Sequence, residues 1–105
     1  MIEENNITIR WNNSITDCSE MFYGLTNIVK INFTNFDISN ITNMNKMFYK
    51  CNSLKSIYFN NIDSSSVTDM SYMFFGCNSL TFIELNNLET FNVKNMSYMF
   101  KDCYS

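Results

Sequence analysis

One stretch of this chain decides its fold: Met44-Asn45-Lys46-Met47-Phe48-Tyr49-Lys50-Cys51. Its central pair, Met-Phe, occurs at residues 21–22, 47–48, 73–74 and 99–100, always 26 residues apart. A constant period without insertions is the signature of a chain built from stacked copies of one supersecondary unit. The sequence therefore predicts a repeat architecture, and 105 residues suit a single domain.

Each copy carries the apolar pattern of a strand with one buried face. In the first full copy, Ile31 and Phe33 alternate with other residues, and the same alternation returns in the later copies. A period of two is typical of a β-strand. We therefore predict strands near residues 29–34, 55–60 and 81–86.

A second pattern follows each strand and has the spacing of a short amphipathic helix. Met44, Met47, Phe48 and Cys51 lie at i, i+3, i+4 and i+7, and this spacing repeats in the next two copies. Asn52 comes just past the predicted helix, where a left-handed residue commonly ends one, and the next copy has Asn78 there. The predicted fold class is α/β: a right-handed solenoid of the leucine-rich-repeat type, with one short parallel strand and one short helix per 26-residue repeat.

The repeats divide the single domain 1–105 into segments. Residues 1–20 are predicted to form an N-terminal capping half-repeat, in which Ile7, Ile9 and Trp11 alternate as a strand and Trp11 covers the core. Full repeats are expected at 21–46, 47–72 and 73–98, with 99–105 as the truncated start of another. We expect a monomer or association through the repeat ends, or further repeats beyond this sequence.

Composition and charge argue against several classes of function. Nucleic-acid binding needs clustered Lys and Arg, whereas the 7 basic residues here are scattered in a chain of net charge −3. Histidine, the commonest general base and metal ligand, is absent. No apolar stretch approaches the roughly 18 residues of a membrane span. We therefore expect no nucleic-acid partner, no membrane insertion, no cofactor, no metal and no enzymatic activity.

An acid recurs in the turn after each strand, at Asp37, Asp63 and Glu89. Paired acids can hydrolyse glycosidic bonds, so an acid-dependent hydrolase stays a minor alternative. However, an active site is normally unique, whereas these acids repeat, and Asp readily bonds its own turn backbone. We therefore interpret them as turn residues and predict no catalytic residues.

The cysteines also follow the repeat. Cys51, Cys77 and Cys103 occupy one slot in successive copies, and Cys18 lies elsewhere in the lead-in. Stacked copies would place equivalent Cα atoms about 5 Å apart, within the range of about 4.4–6.8 Å for a disulfide. Side chains in a ladder run parallel, which favours a column of buried thiols. Disulfides between cysteines of neighbouring copies remain an alternative. A zinc site is the weakest alternative, because no Cys-x-x-Cys pair exists.

The outward face of the predicted sheet is the candidate partner-binding surface. If Ile31 and its equivalents point inward, six residues form this face: Lys30, Asn32, Tyr58, Asn60, Phe82 and Glu84. Exposed aromatic side chains on a rigid sheet often supply binding energy. The alternative is that they only pack on neighbouring strands and stabilise the sheet.

The string Asn-(Val/Ile)-Thr-Asn-Met-Ser-Tyr-Met-Phe-x-x-Cys-x-Ser-Leu recurs, with variations, at 40–54, 66–80 and 92–105. Over residues 14–105 the chain resembles the BspA-like leucine-rich-repeat surface proteins of bacteria. This resemblance implies a cell-surface or extracellular location and adhesion to a host or cell-surface protein. The acidic start, Glu3-Glu4, lacks the positive charge of a secretory signal, and no anchor segment is evident, so a cytoplasmic location stays open.

We therefore expect a non-enzymatic protein-binding and adhesion module that uses the exposed strand face. The alternative function is a structural spacer, a segment of a longer repeat array without a ligand of its own.

Overall fold

A computed structural model describes residues 6–11, 16–36, 38–59, 63–84 and 92–104. Four strands form one parallel sheet: β1 (Asn6–Trp11), β2 (Lys30–Phe36), β3 (Ser56–Phe59) and β4 (Phe82–Glu84). Their order in the sheet is their order in the sequence. Parallel neighbouring strands need a crossover connection, so the chain completes one coil between each strand and the next. A coil is a strand together with the segment that follows it, so the first coil begins with β1 and the fourth with β4. The coils stack along the sheet. The predicted strands are confirmed, including the one in the lead-in.

The strands keep the period of the sequence. Ile31 pairs with Ile57, which pairs with Ile83, so equivalent residues of neighbouring copies lie side by side. In the lead-in, Ile7 pairs with Ile31, and the register shifts between Ile9 and Trp11. The predicted covering role of the Trp11 side chain lies outside the described residues.

The predicted helix is absent, and the α/β leucine-rich-repeat fold class is wrong: the described ranges contain no helix. A run of consecutive turns takes its place. In the turn run that follows β2, the N–H groups of Met47 and Tyr49 donate to the carbonyls of Met44 and Lys46, three residues back, at 3.3 and 3.2 Å. These bonds close four-residue turns, whereas an α-helix bonds each N–H four residues back.

The intervening N–H groups bond along the stack. Lys46 donates to the carbonyl of Ser71 at 3.0 Å, and Phe48 donates to that of Met73 at 2.9 Å, both in the next coil. The same pattern joins the first coil to the second and the third to the fourth. An N–H committed to a neighbouring coil cannot also hold a helix together, so bonding between coils replaces the helix.

Left-handed residues make these turns possible. Lys46 and Lys50 have φ of 56° and 58°, and Tyr72 and Gly76 have φ of 57° and 74°. A type II turn needs a positive φ at its third residue. Asn52 does not have a positive φ, so the left-handed position predicted there is wrong. The left-handed residues lie inside the turn run, at the third position of turns such as 44–47 and 48–51.

Most of these left-handed positions are not glycine. Six of the eight described residues with positive φ carry side chains: Glu20, Lys46, Lys50, Tyr72, Tyr98 and Asp102. Such a backbone costs of order 1 kcal/mol per residue. The stacking of coils must offset this cost, because an isolated coil has neither the bonds to a neighbour nor a buried interior.

Each turn run begins with an Asp or Asn, and the hydrogen bonds of this residue explain why it recurs in every copy. Backbone bridges join Asp17, Asn43, Asp69 and Asn95 into a second parallel ladder opposite the sheet. In each, the side-chain Oδ1 accepts the backbone N–H two residues on, at 2.8–3.0 Å. This local bond is a habit of Asn and Asp in turns.

The core lies between the sheet and the turn runs and is built from stacked equivalents. Phe48 stacks on Phe74 with ring centroids 5.3 Å apart, and Phe33 stacks on Phe59 at 5.1 Å. Phe33 also meets Phe48 edge to face at 6.0 Å, which ties the sheet to the turns. All four rings are fully buried. Aromatic pairs of this kind add about 0.5–1.5 kcal/mol each beyond the area they bury.

Two glycines allow a matched test of the left-handed turns. A Cβ on Gly76 would lie 3.1 Å from Cγ of Lys50, whereas a Cβ on Gly24 would meet nothing within 4 Å. Both have positive φ, so Gly24→Ala should lower the free energy of unfolding by about 1 kcal/mol and Gly76→Ala by about 2 kcal/mol. Urea unfolding followed by circular dichroism measures both. Equal losses would contradict a role for the Lys50 contact.

Candidate functional site

The outward face of the sheet holds five of the six residues predicted for partner binding. Lys30 and Asn32 lie on β2, Tyr58 on β3, and Phe82 and Glu84 on β4. The register places Tyr58 between Asn32 and Glu84. Asn60, the sixth predicted residue, lies outside the described residues. Their inward neighbours, such as Ile31 and Ile57, are buried, which fixes which side of the sheet this face occupies.

Three of these side chains form a continuous row across three strands. The Lys30 Nζ lies 4.9 Å from the centre of the Tyr58 ring, and the rings of Tyr58 and Phe82 lie 5.2 Å apart. Phe82 remains 49% exposed, while Lys30 and Tyr58 are half-buried. We call Lys30, Tyr58 and Phe82 the sheet-face row. Packing on neighbouring strands and exposure to a partner, which the sequence offered as alternatives, therefore coexist.

The chemistry of this face suits contact with another macromolecule. The row offers two aromatic rings, tilted by 37° to each other, with an ammonium at one end. Glu84 lies next to Tyr58 across the strand pair. Aromatic rings held against each other lose little freedom on binding. Charges of both signs beside an apolar strip favour selection of a complementary surface.

A second aromatic surface lies on the turn runs, and sequence reasoning missed the stacking of its rings. Tyr23, Tyr49 and Phe75 stack in successive coils with ring centroids 4.9 and 4.8 Å apart. Lys46 Nζ lies 5.6 Å from the Tyr49 ring and 5.7 Å from the Tyr72 ring. The signal was present, since aromatic residues recur at these positions with the period of the repeat. Because the rings cover each other's faces, this surface exposes mainly ring edges and ammonium groups.

A shallow open pocket of about 340 Å³ adjoins this surface. Lys50, Phe75, Gly76, Asp102 and Tyr104 line much of it. The Tyr104 hydroxyl donates to the Asp102 carboxylate at 3.0 Å. That bond and the nearby negative charge raise the pKa of Tyr104. The raised pKa keeps the Tyr104 phenol protonated at neutral pH, which makes it a weak nucleophile.

The cysteines are free thiols in a regular column. Cys51 and Cys77 are buried, and the Cys77 Sγ donates to the carbonyl of Phe48 at 3.0 Å, as Cys51 does to that of Phe22. This confirms the predicted buried thiols at Cys51 and Cys77, while Cys103 is partly exposed. Burial raises the pKa of Cys51 to about 11 and that of Cys77 to about 12. Thiols that stay protonated at neutral pH are poor nucleophiles and poor metal ligands.

The described acids take turn positions and do not cluster as metal ligands. The Asp63 Oδ1 accepts the backbone N–H of Ser65 at 3.0 Å and its hydroxyl at 2.6 Å, which is the turn role predicted for it. Asp37 and Glu89 lie outside the described residues. No group of three or more Cys, Asp or Glu side chains that are described could hold a metal ion.

Comparison with known proteins gives a family. The family described as "Mycoplasma protein of unknown function, DUF285" matches residues 16–105, which include all the turn runs and strands β2 to β4. The chain belongs to this family. No curated protein and no solved structure matches it.

Among the described residues of the DUF285 chain, no helix has the length and apolar character to cross a bilayer.

The thiol column of the DUF285 chain predicts a loss of stability at alkaline pH. Unfolded thiols titrate near 9.0, whereas the folded Cys77 thiol has a pKa of about 12. Between these values the folded state binds more protons, so raising the pH favours unfolding. The stability contribution is therefore complete below about pH 9 and is lost progressively as the pH rises toward about 12. Urea midpoints at about pH 8 and about pH 10.5 measure the fall.

The matched control is Cys77→Ser, which keeps a donor for the Phe48 carbonyl but does not titrate in this range. Its urea midpoint should fall less between the two pH values than that of the parent chain. An equal fall would assign the alkaline effect to other groups.

Thiol labelling tests the same column by a different property. A disulfide-exchange reagent at about pH 8 should modify Cys103 first in the native chain, because Cys103 is partly exposed. Cys18, Cys51 and Cys77 are buried and should react only after denaturant is added. Rapid labelling of all four thiols without denaturant, located by mass spectrometry, would contradict the buried column.

Proposed function

We propose that this DUF285 chain is a non-enzymatic protein-binding module whose contact surface is the outward face of the sheet. The observation that carries the proposal is the sheet-face row. It places an ammonium and two aromatic rings in continuous contact, with Phe82 49% exposed.

The row has the features of an energetic centre for binding. Aromatic side chains dominate the binding energy of many protein interfaces. Tyr58 is held by Lys30 on one side and Phe82 on the other, so little conformational entropy is lost when a partner covers it. The strands beneath are held by backbone bonds to their neighbours and by the buried Ile31 and Ile57.

The resemblance to BspA-like surface proteins supports the choice of partner and location. On that resemblance we propose that the partner is a host or cell-surface protein and that the chain acts at the cell surface or outside the cell, in adhesion. The DUF285 match is coarser and names no activity. The protonated thiols and the lack of histidine support a non-enzymatic role.

The test is binding of the labelled chain to cultured epithelial cells, before and after the cell surface is treated with trypsin. The variant Tyr58→Ser/Phe82→Ser/Glu84→Ser removes the aromatic and acidic side chains of the face. It should lower binding at least about tenfold, because hot-spot aromatics cost more than 1–2 kcal/mol each on truncation. Trypsin treatment should abolish binding of the parent chain.

The matched control is Lys50→Ser/Tyr72→Ser/Phe75→Ser, which removes two aromatic rings and one charge from the turn surface. It should bind like the parent. Circular dichroism must show the same spectrum for both triple variants. Equal binding by parent and sheet-face variant would reject the face, and binding that survives trypsin would reject a protein partner.

A structural spacer is the second candidate function. The observation that favours it is the uniform bonding between coils, in which Met44 donates to Asp69 and Met70 donates to Asn95 in the same register. Such a stack is rigid and can be lengthened without new types of contact. Absence of cell binding by the parent chain and by both variants would favour the spacer.

A further inference from the structure

Five residues of the second and third coils form a cluster of rings and ammonium groups that the proposed function does not use. Tyr49 and Phe75 stack with ring centroids 4.8 Å apart, and the Tyr72 ring lies 5.7 Å from that of Phe75. The Nζ atoms of Lys46 and Lys50 lie 5.6 and 5.5 Å from the centre of the Tyr49 ring. We call these five residues the turn-run patch. Both coils have a neighbour on each side, so the exposure of the patch does not come from an end of the stack.

The two ammonium groups of the patch are not neutralised by an acid. Neither forms an ion pair with a described carboxylate, those of Glu20 and Asp102 in the flanking coils included. Lys50 is exposed and Lys46 is half-buried. The rings beside them attract an ammonium but carry no net charge, so they hold the two lysines in place without cancelling their charge. Two unpaired ammonium groups on the same ring favour an anionic ligand.

The rings of the patch present their edges and hydroxyl groups to solvent. Tyr23 and Phe75 cover the Tyr49 ring from the coils on either side. The hydroxyls of Tyr49 and Tyr72 bond no described residue, and no buried side-chain oxygen among the described residues lacks a partner, so both hydroxyls reach solvent. A tyrosine with a packed ring and a wet hydroxyl is the side chain that suits the boundary between a bilayer and water. The positive edge of an aromatic ring also favours a negatively charged neighbour.

The positions of the lysines favour a bilayer over a linear polyanion. The equivalents of Lys46 in the neighbouring coils are Glu20 and Tyr72, and both equivalents of Lys50 are glycine. A polymer that lay along the stack would therefore meet two ammonium groups and no regular row of charge. Lipids diffuse laterally, so anionic headgroups can gather at two ammonium groups without matching a period.

We propose that the turn-run patch docks this chain onto the surface of a bilayer that contains anionic phospholipids. The ammonium groups of Lys46 and Lys50 contact lipid phosphates, the tyrosine hydroxyls lie among the headgroups, and the chain stays outside the hydrocarbon. The core separates the turn runs from the sheet, so a docked chain turns its sheet-face row away from the bilayer. This inference goes beyond the proposed function, because it uses the opposite side of the stack.

Cosedimentation with lipid vesicles tests the docking. The parent chain should bind vesicles of phosphatidylcholine with about 30% phosphatidylglycerol at least about tenfold more tightly than vesicles of phosphatidylcholine alone. Binding should weaken as the salt concentration rises from about 50 to about 300 mM, because the contact between exposed ammonium groups and phosphates is screened. Equal binding to both kinds of vesicle, or binding to neither, would overturn the proposal.

The variant Lys46→Gln/Lys50→Gln removes both charges and should lower binding to the anionic vesicles about tenfold. Both positions have positive φ, where Gln is no more strained than Lys. The matched control, Lys55→Gln/Lys94→Gln, removes two charges from exposed positions outside the patch and should change binding less than about twofold. An equal loss in both variants would assign binding to net charge and overturn the patch as its site. Urea unfolding of each variant checks that folding is unchanged.

Three further results separate this site from other surfaces and ligands. Tyr58→Ser/Phe82→Ser keeps the net charge and should bind vesicles like the parent, whereas a loss of binding would place docking on the sheet and reject the patch. Glycerol phosphate at about 10 mM and constant ionic strength should leave the chain on the vesicles, because one phosphate makes only part of the contact. Full displacement would assign the patch to free phosphate esters. Retention on a sulfated polysaccharide without binding to vesicles would assign it to that polymer and overturn the proposal.

Discussion

The structure depends on how its backbone N–H groups are shared between neighbours. Along each turn run they alternate: Met47 bonds back within its own turn, and Phe48 bonds forward to Met73 in the next coil. No single coil can satisfy all of its groups, so each needs a neighbour. The left-handed residues, such as Lys46 and Lys50, add strain that only the stack can offset. The stability of the fold therefore comes from the stack of coils as a whole and not from any single coil, as in other repeat proteins.

Sequence reasoning recovered the repeat and the strands because both depend on patterns that have one structural explanation. A strict period places Ile31, Ile57 and Ile83 side by side, as observed. It failed at the helix because a spacing of i, i+3, i+4 and i+7 shows only which residues face inward. A run of turns buries Met44, Met47, Phe48 and Cys51 equally well. Glycine is the usual signal of a left-handed turn. Six of the eight described residues with positive φ are not glycine.

The candidate site was predictable to the extent that it follows from strand alternation. Lys30, Tyr58 and Phe82 lie on the outward face because their neighbours in sequence are buried. Their contact across three strands depends on the register and on side-chain conformations, which a sequence pattern does not give. The stacked rings of Tyr23 and Tyr49 went unnoticed because a helix would have placed those residues among its polar positions.

Backbone bonding also separates the sheet-face row from the stack by chemistry. The row is made of side chains in ring and ammonium contacts, whereas backbone hydrogen bonds join the coils. A changed side chain on this face therefore removes ring contacts between strands but no backbone bond between coils. A binding surface built in this way can vary in sequence while the strands beneath it keep their register.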